Sequence, residues 1–165
     1  ISLDTFAAAA ADLDLGGQKV TNLANPAADT DAATRQFVLN EVEGAVQLVE
    51  SLQLVLDGNG AVLSGLAGDL LVPFDCQIQE AVMLAAQSGD LEVDIWCDAL
   101  AGFLPDNSDS ITGSSPLTIT VGDHVQDALL TGWTTSLSEG DVLRFNVDSA
   151  ATIQQATVIL KVVRN

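Results

Sequence analysis

Side chains that could exchange a proton near neutral pH are scarce in this sequence. There is one histidine, His124, in Val121-Gly122-Asp123-His124, directly after a strand candidate, where a surface turn is its expected place. There is no tyrosine. Acid–base and nucleophilic catalysis need a reactive group within hydrogen-bond reach of partners that tune it. The spacings H-E-x-x-H, G-x-S-x-G and the phosphate-binding loop do not occur. Cys76 and Cys97 lie among alternating apolar residues without C-x-x-C spacing, so they are expected as buried free thiols that act as small hydrophobes. Carboxylates are plentiful, which leaves a glycoside-hydrolysing pair open on composition alone. Two acidic clusters, Asp57-Gly58-Asn59-Gly60 and Asp106-Asn107-Ser108-Asp109, could offer oxygen ligands to Ca²⁺. Neither runs on into an EF-hand loop with its closing Glu, and turn formation is the expected use of both. No catalytic residue, metal ligand or cofactor site is assigned. Trp96 and Trp133 are the only tryptophans. Trp96 shares a strand face with Glu92, Asp94 and Asp98, so it is either the apolar spot of a polar face or part of a contact. The candidate surface contacts are Trp96, Asp106, Asn107 and Asp109.

The charge balance narrows the partners. Against 23 acidic residues stand 5 basic ones, a net charge of −18, and no Lys or Arg occurs between Gln36 and Leu143. Nucleic-acid binding depends on cations that neutralise phosphates, so DNA and RNA are expected not to be partners, nor are anionic membrane surfaces. Self-repulsion at this charge favours solubility and opposes compactness. Apolar runs are short and stay below the ~20 residues of a membrane-spanning helix, so no membrane insertion is expected. The chain opens at Ile1 without Met, consistent with a processed or partial product.

The elements follow from punctuation and period. Residues 1–30 carry an alanine run, Ala7–Ala11, two glycines at Gly16-Gly17 and Pro26. They offer few large apolar side chains to offset ordering entropy and are expected as an extended attachment arm. From Asp31 the apolar series Val38, Val42, Ala45, Val49, Leu52 and Leu56 has spacings of four and three, a heptad seam. It predicts a helix over 31–56, capped near Thr30 or Asp31. That helix is either one strand of a trimeric coiled-coil stalk or an amphipathic helix on its own domain. After the turn at Asp57–Gly60 everything reads as strand. Candidates are 61–66, 70–74, 77–86, 91–98, 117–121, 128–133, 141–147 and 152–163, with Gly, Pro, Asn, Asp and Ser between them. Leu91, Val93, Ile95 and Cys97 alternate with Glu92, Asp94, Trp96 and Asp98. This pattern predicts a mainly β unit over 57–165, an antiparallel, jelly-roll-like β-sandwich. Its longest loop is Pro105–Pro116, and loops of that length are commonly functional or mobile. A weak echo, Gly17-x-x-Val20-x-x-Leu23-Ala24 against Gly60-x-x-Leu63-x-x-Leu66-Ala67, is too short to be a repeat array.

One segment carries a resemblance. Leu15-Gly16-Gly17-Gln18-Lys19-Val20-Thr21-Asn22-Leu23-Ala24-Asn25-Pro26, followed by Asp29-Thr30-Asp31-Ala32-Ala33-Thr34-Arg35-Gln36-Phe37-Val38, resembles the short module of many bacteriophage tail fibre and tail appendage proteins. Those modules read approximately G-x-K-I-x-N-L-x-x-P-x-x-x-T-D-A-A-T-K-x-Y-V; Val20, Arg35 and Phe37 stand here for the usual Ile, Lys and Tyr. Val72-Pro73-Phe74, Val93-Asp94-Ile95-Trp96, Thr131-Gly132-Trp133-Thr134 and Gly140-Asp141-Val142-Leu143 are similar, more loosely, to terminal β-sandwich domains of phage fibres. The resemblance implies a virion structural protein assembled in the host cytoplasm, not an enzyme. It implies a homotrimeric tail fibre, with other virion proteins held by the arm and a host receptor or glycan met by the head. A head fibre or capsid decoration protein is the alternative, since it needs the same parts. A small polysaccharide-processing enzyme is the third reading; phage depolymerases that resemble such enzymes tend to be much larger β-helical chains.

Overall fold

The computed structural model describes residues 24–28, 37–38, 48–102 and 104–165. The chain divides into two compact units, Ile1–Val46 and Gln47–Asn165. In the first, Phe37 and Val38 are helical. The second is mainly β, one curled antiparallel sheet. Its strands are β1 (Val49–Asp57), β2 (Gly65–Leu71), β3 (Cys76–Ala99), β4 (Leu117–Asp127), β5 (Ser136–Leu137), β6 (Asp141–Ala151) and β7 (Gln155–Arg164), with a 3-10 turn at Asn107–Asp109.

The expected stalk helix is corrected by β1. Residues 49–57 pair antiparallel with β7 in continuous register, Val49 opposite Val163 through Asp57 opposite Gln155. The seam residues Leu52 and Leu56 are buried in the sheet core, while Val49 faces outward. Leu52, Leu54 and Leu56 alternate with Gln53 and Val55, which is the period of a strand. A spacing of four fits both the helical and the strand period, so Leu52 and Leu56 satisfied the heptad without being helical. Val38 is helical and half exposed; Val42 and Ala45 lie outside the described residues.

The strand order is β1-β7-β3-β6-β2, and β4 and β5 pair with the other side of β3. β3 organises the whole unit. Its first half pairs with β7 from Cys76 to Ala85, and its second half with β6 from Asp90 to Ala99. The strand candidates 77–86 and 91–98 are therefore one strand that turns a corner near Gly89. A Cβ on Gly89 would stand 2.4 Å from the Ala151 carbonyl oxygen and 2.4 Å from Thr152 Oγ1, so only glycine lets the β6–β7 turn approach. On the facing strand the register shifts on both sides of Gly89, and Val121 takes φ +47°. Bulges of this kind bend a strand and increase its twist.

The corner folds the sheet until its two end strands touch: a Cβ on Gly68 in β2 would lie 3.2 Å from Leu54 Cδ1 in β1. Between the two halves lies one core, which includes Leu56, Ile78, Met83, Leu91, Ile95, Phe145 and Leu160. Residues 128–133, expected as a strand, form turns instead. Leu130 and Gly132 both have positive φ, and Asp127 Oδ1 accepts from the Leu129 and Leu130 amides.

Candidate functional site

The segment 105–116 does not hang free. It runs beside the second half of β3, with Ser110 bridged antiparallel to Trp96, and is held at its start, middle and end. At the start, Arg144 of β6 donates through Nε and Nη2 to both carboxylate oxygens of Asp69 in β2, at 2.7 and 2.9 Å. Its Nη1 donates to the Pro105 carbonyl at 3.3 Å. The forked geometry makes this a strong pair, and the Arg144 guanidinium holds the Asp69 carboxyl below the usual carboxylate range.

In the middle, Asp94 of β3 is a buried carboxylate whose oxygens are all engaged. Oδ1 accepts from the Ile95 amide at 2.8 Å, the Ser110 hydroxyl at 2.8 Å and the Thr112 hydroxyl. Oδ2 accepts from the Trp96 indole N–H at 2.7 Å. A buried charge is tolerable only when donors replace the water it has lost, and four donors do so here. Ile111 adds backbone links on both sides: its amide donates to the Ile95 carbonyl at 2.9 Å, and its carbonyl accepts from the Thr134 amide at 2.7 Å. At the end, the Trp133 indole N–H donates to the Ser115 carbonyl at 2.9 Å. Ile111 and Thr112 are buried.

What remains outside is the tip. Asp106, Asn107 and Ser108 are exposed and Asp109 is half-buried. The tip's shape is set by a reciprocal cap: Asp106 Oδ1 accepts from the Ser108 amide and hydroxyl at 2.8 and 2.7 Å, and Asp109 Oδ2 accepts from the Asp106 amide at 2.9 Å. The Ser108 hydroxyl and amide hold the Asp106 carboxyl below its ordinary value, so the tip keeps its charge. Turn formation is what these carboxylates do, as their sequence pattern suggested.

The predicted contact residues therefore separate. Asp106, Asn107 and Asp109 stand together at the tip. Trp96 lies beside the segment, 9% exposed, and braces it through Asp94; it cannot be the surface contact expected of it. Asp94, Thr112 and Arg144 are the positioning residues that sequence reasoning missed. The alternation that put Asp94 and Trp96 on one face was legible, but nothing in a strand pattern says that a distant loop will cover that face.

Elsewhere, His124 Nδ1 lies 2.6 Å from Asp123 Oδ1, which holds the Asp123 carboxyl below its usual range. Both side chains are well exposed. Burial raises the Cys76 thiol and, with Asp141 beside it, pushes Cys97 up to about 12. Such thiols are poor nucleophiles at neutral pH. Among the described residues no three His, Cys, Asp or Glu side chains converge as metal ligands. A cleft of about 240 Å³ is lined by Leu56, Val62, Leu63, Leu66 and Ala67, with Asp57 as the one carboxylate in its wall. Glycoside hydrolysis in most families needs two flanking carboxyl groups.

No protein-family model matches the chain, and no curated protein matches it.

Proposed function

We propose that this chain is a virion structural protein, a homotrimeric phage tail fibre whose β unit, a jelly-roll-like sandwich, presents the 105–116 ridge to a host surface. The observation that carries this reading is the module-like segment from Leu15 to Val38, which resembles the connecting piece of tail fibres. The braced ridge supports it from the other end of the chain. Binding loops work best when a rigid scaffold positions them, and three copies turn weak contacts into useful avidity. The arm engages other virion proteins, the ridge engages a receptor or glycan, and no cofactor takes part.

The test uses the full chain, fluorescently labelled, on cells of the host and on purified capsid shells. The expected result is saturable binding to cells, competition with infection, and loss of both when Asp106–Ser115 is exchanged for an unrelated loop of equal length. Binding to shells with none to cells would replace the tail-fibre reading by the capsid-decoration one.

A further inference from the structure

The two outer faces of the curled sheet are unlike each other, and the difference lies in charge. The outer face of the β6–β3 half carries Glu92, Asp94, Asp98 and Asp148 and is flanked by the ridge, which bridges to β3 at Trp96. On the other half the register aligns an apolar stripe across three strands. Val49 pairs with Val163, Gln53 with Ile159 and Val55 with Thr157; Ile159 in turn pairs with Val82 and Thr157 with Leu84. Directly paired residues project from the same side of an antiparallel sheet, so these side chains share one outward surface. Val49, Val55 and Leu84 are 58%, 55% and 47% exposed, and Val82, Ile159 and Val163 are half-buried. No described element covers them.

This surface is also where charge has been removed from a chain of net charge −18. Its central acid, Glu80, accepts from Lys161 Nζ at 2.5 Å and from the Gln126 amide, and these two groups hold its carboxyl below the usual range. Among the described residues Lys161 is one of three basic side chains, with Arg144 and Arg164, and it is spent neutralising this face.

We infer that the outer face of β1, β7 and the first half of β3 is the surface through which copies of this chain pack on one another. Identical acidic chains repel wherever their carboxylates meet. They can approach only across a patch that is close to neutral, and this face supplies an apolar patch whose central acid is neutralised by Lys161 and whose other described acid, Asp57, stands at the end of β1. About eight residues of strand length by three strands spans roughly 27 by 14 Å at ordinary sheet spacings, so two copies cover about 800 Å² together, the size of a weak, reversible contact. This inference rests on the homo-oligomeric part of the function proposed above.

The experiment is sedimentation or multi-angle light scattering on the full chain at micromolar concentration, with Val55→Asp/Leu84→Asp beside Leu129→Asp. Leu129 is 87% exposed in the turn after β4 and serves as the off-face control. The unmutated chain and the control should be oligomers; the double variant should run at the single-chain mass, its dissociation concentration raised roughly a hundredfold or more. Circular dichroism melts verify folding. If the double variant does not fold, Val55→Thr/Leu84→Gln should raise the dissociation concentration at least about tenfold. An oligomeric unmutated chain whose face variants remain oligomeric would overturn this assignment and leave the homo-oligomer intact. A monomeric unmutated chain would overturn both.

Discussion

At the scale of single residues, the buried Asp94 carboxylate does the most to fix the candidate site, because four donors from two parts of the chain, β3 and the 105–116 segment, meet on it. Asp94→Ala leaves the Trp96 indole, the Thr112 hydroxyl and the Ile95 amide without their acceptor, and unmatched buried donors cost about 1–3 kcal/mol each. We expect a loss of about 3 kcal/mol in denaturant unfolding, with red-shifted tryptophan emission and faster proteolysis within 105–116. Thr112→Val, which keeps the shape and removes one donor, should cost about 1–2 kcal/mol with the emission unchanged. Asp69 and Arg144 give a pH signature. The folded carboxyl of Asp69 is depressed, so its contribution is present above its unfolded pKa, about 3.9, and is lost as pH falls through the lower folded value. Asp69→Asn should therefore melt below the unmutated chain at pH 7, and the gap should close below about pH 4. Asp69 is 42% exposed, so solvent screens the pair and the gap should be modest. A gap that persists at pH 2 would show that the loss is steric.

At the scale of elements, β1 separates what was legible from what was not. The Leu91–Asp98 alternation was correct, and so were the approximate positions of β4, β6 and β7, because period-two patterns between turn residues report a half-buried strand directly. The β1 stretch was misread because Leu52 and Leu56 stand four apart, a spacing common to both periods, and Val38 to Val49 supplied a seam that runs across the boundary between the two units. The ridge was legible only as a loop. Its bracing depends on contacts such as Thr112 to Asp94 and Trp133 to Ser115, which join residues 18 positions apart, and periodicity carries no such information. Leu52 gives the test of the corrected element. In a helical seam Leu52→Ala would weaken association. In β1 it removes a core side chain and should cost about 2–5 kcal/mol of intrinsic stability, independent of protein concentration in chemical denaturation. The corner of β4 gives another. Val121 is β-branched, 81% exposed and at φ +47°, held by donation of its amide to Asp90 Oδ1 at 2.7 Å. A β-branched residue in the left-handed region is strained, so Val121→Gly should raise stability by about 1 kcal/mol.

At the scale of the whole molecule, 23 carboxylates against 5 basic groups make screening matter. Melting temperature should rise between low and roughly molar salt, where the screening length shrinks from about 30 Å to about 3 Å. A flat or falling profile would mean that the acids are individually satisfied, as Asp94 and Glu80 are. The described ion pairs are few, and each of the four has at least one partner more than 40% exposed, so screening of repulsion should outweigh their loss. The strand order has a consequence for the time course of biosynthesis. β7, the last strand of this unit in chain order, is seated between β1 and β3. Until residues 155–164 emerge, β1 has no hydrogen-bonded neighbour and the first half of β3 lacks one of its two. The nascent unit thus waits with unpaired backbone and apolar side chains accessible to trigger factors, holdases and proteases, and its contacts span most of its length, a topology that closes slowly. A ribosome stalled just before Gln155 should display a protease-sensitive unit, and one stalled with Asn165 clear of the exit tunnel a resistant one, so that maturation of the unit is timed by the ten-residue β7.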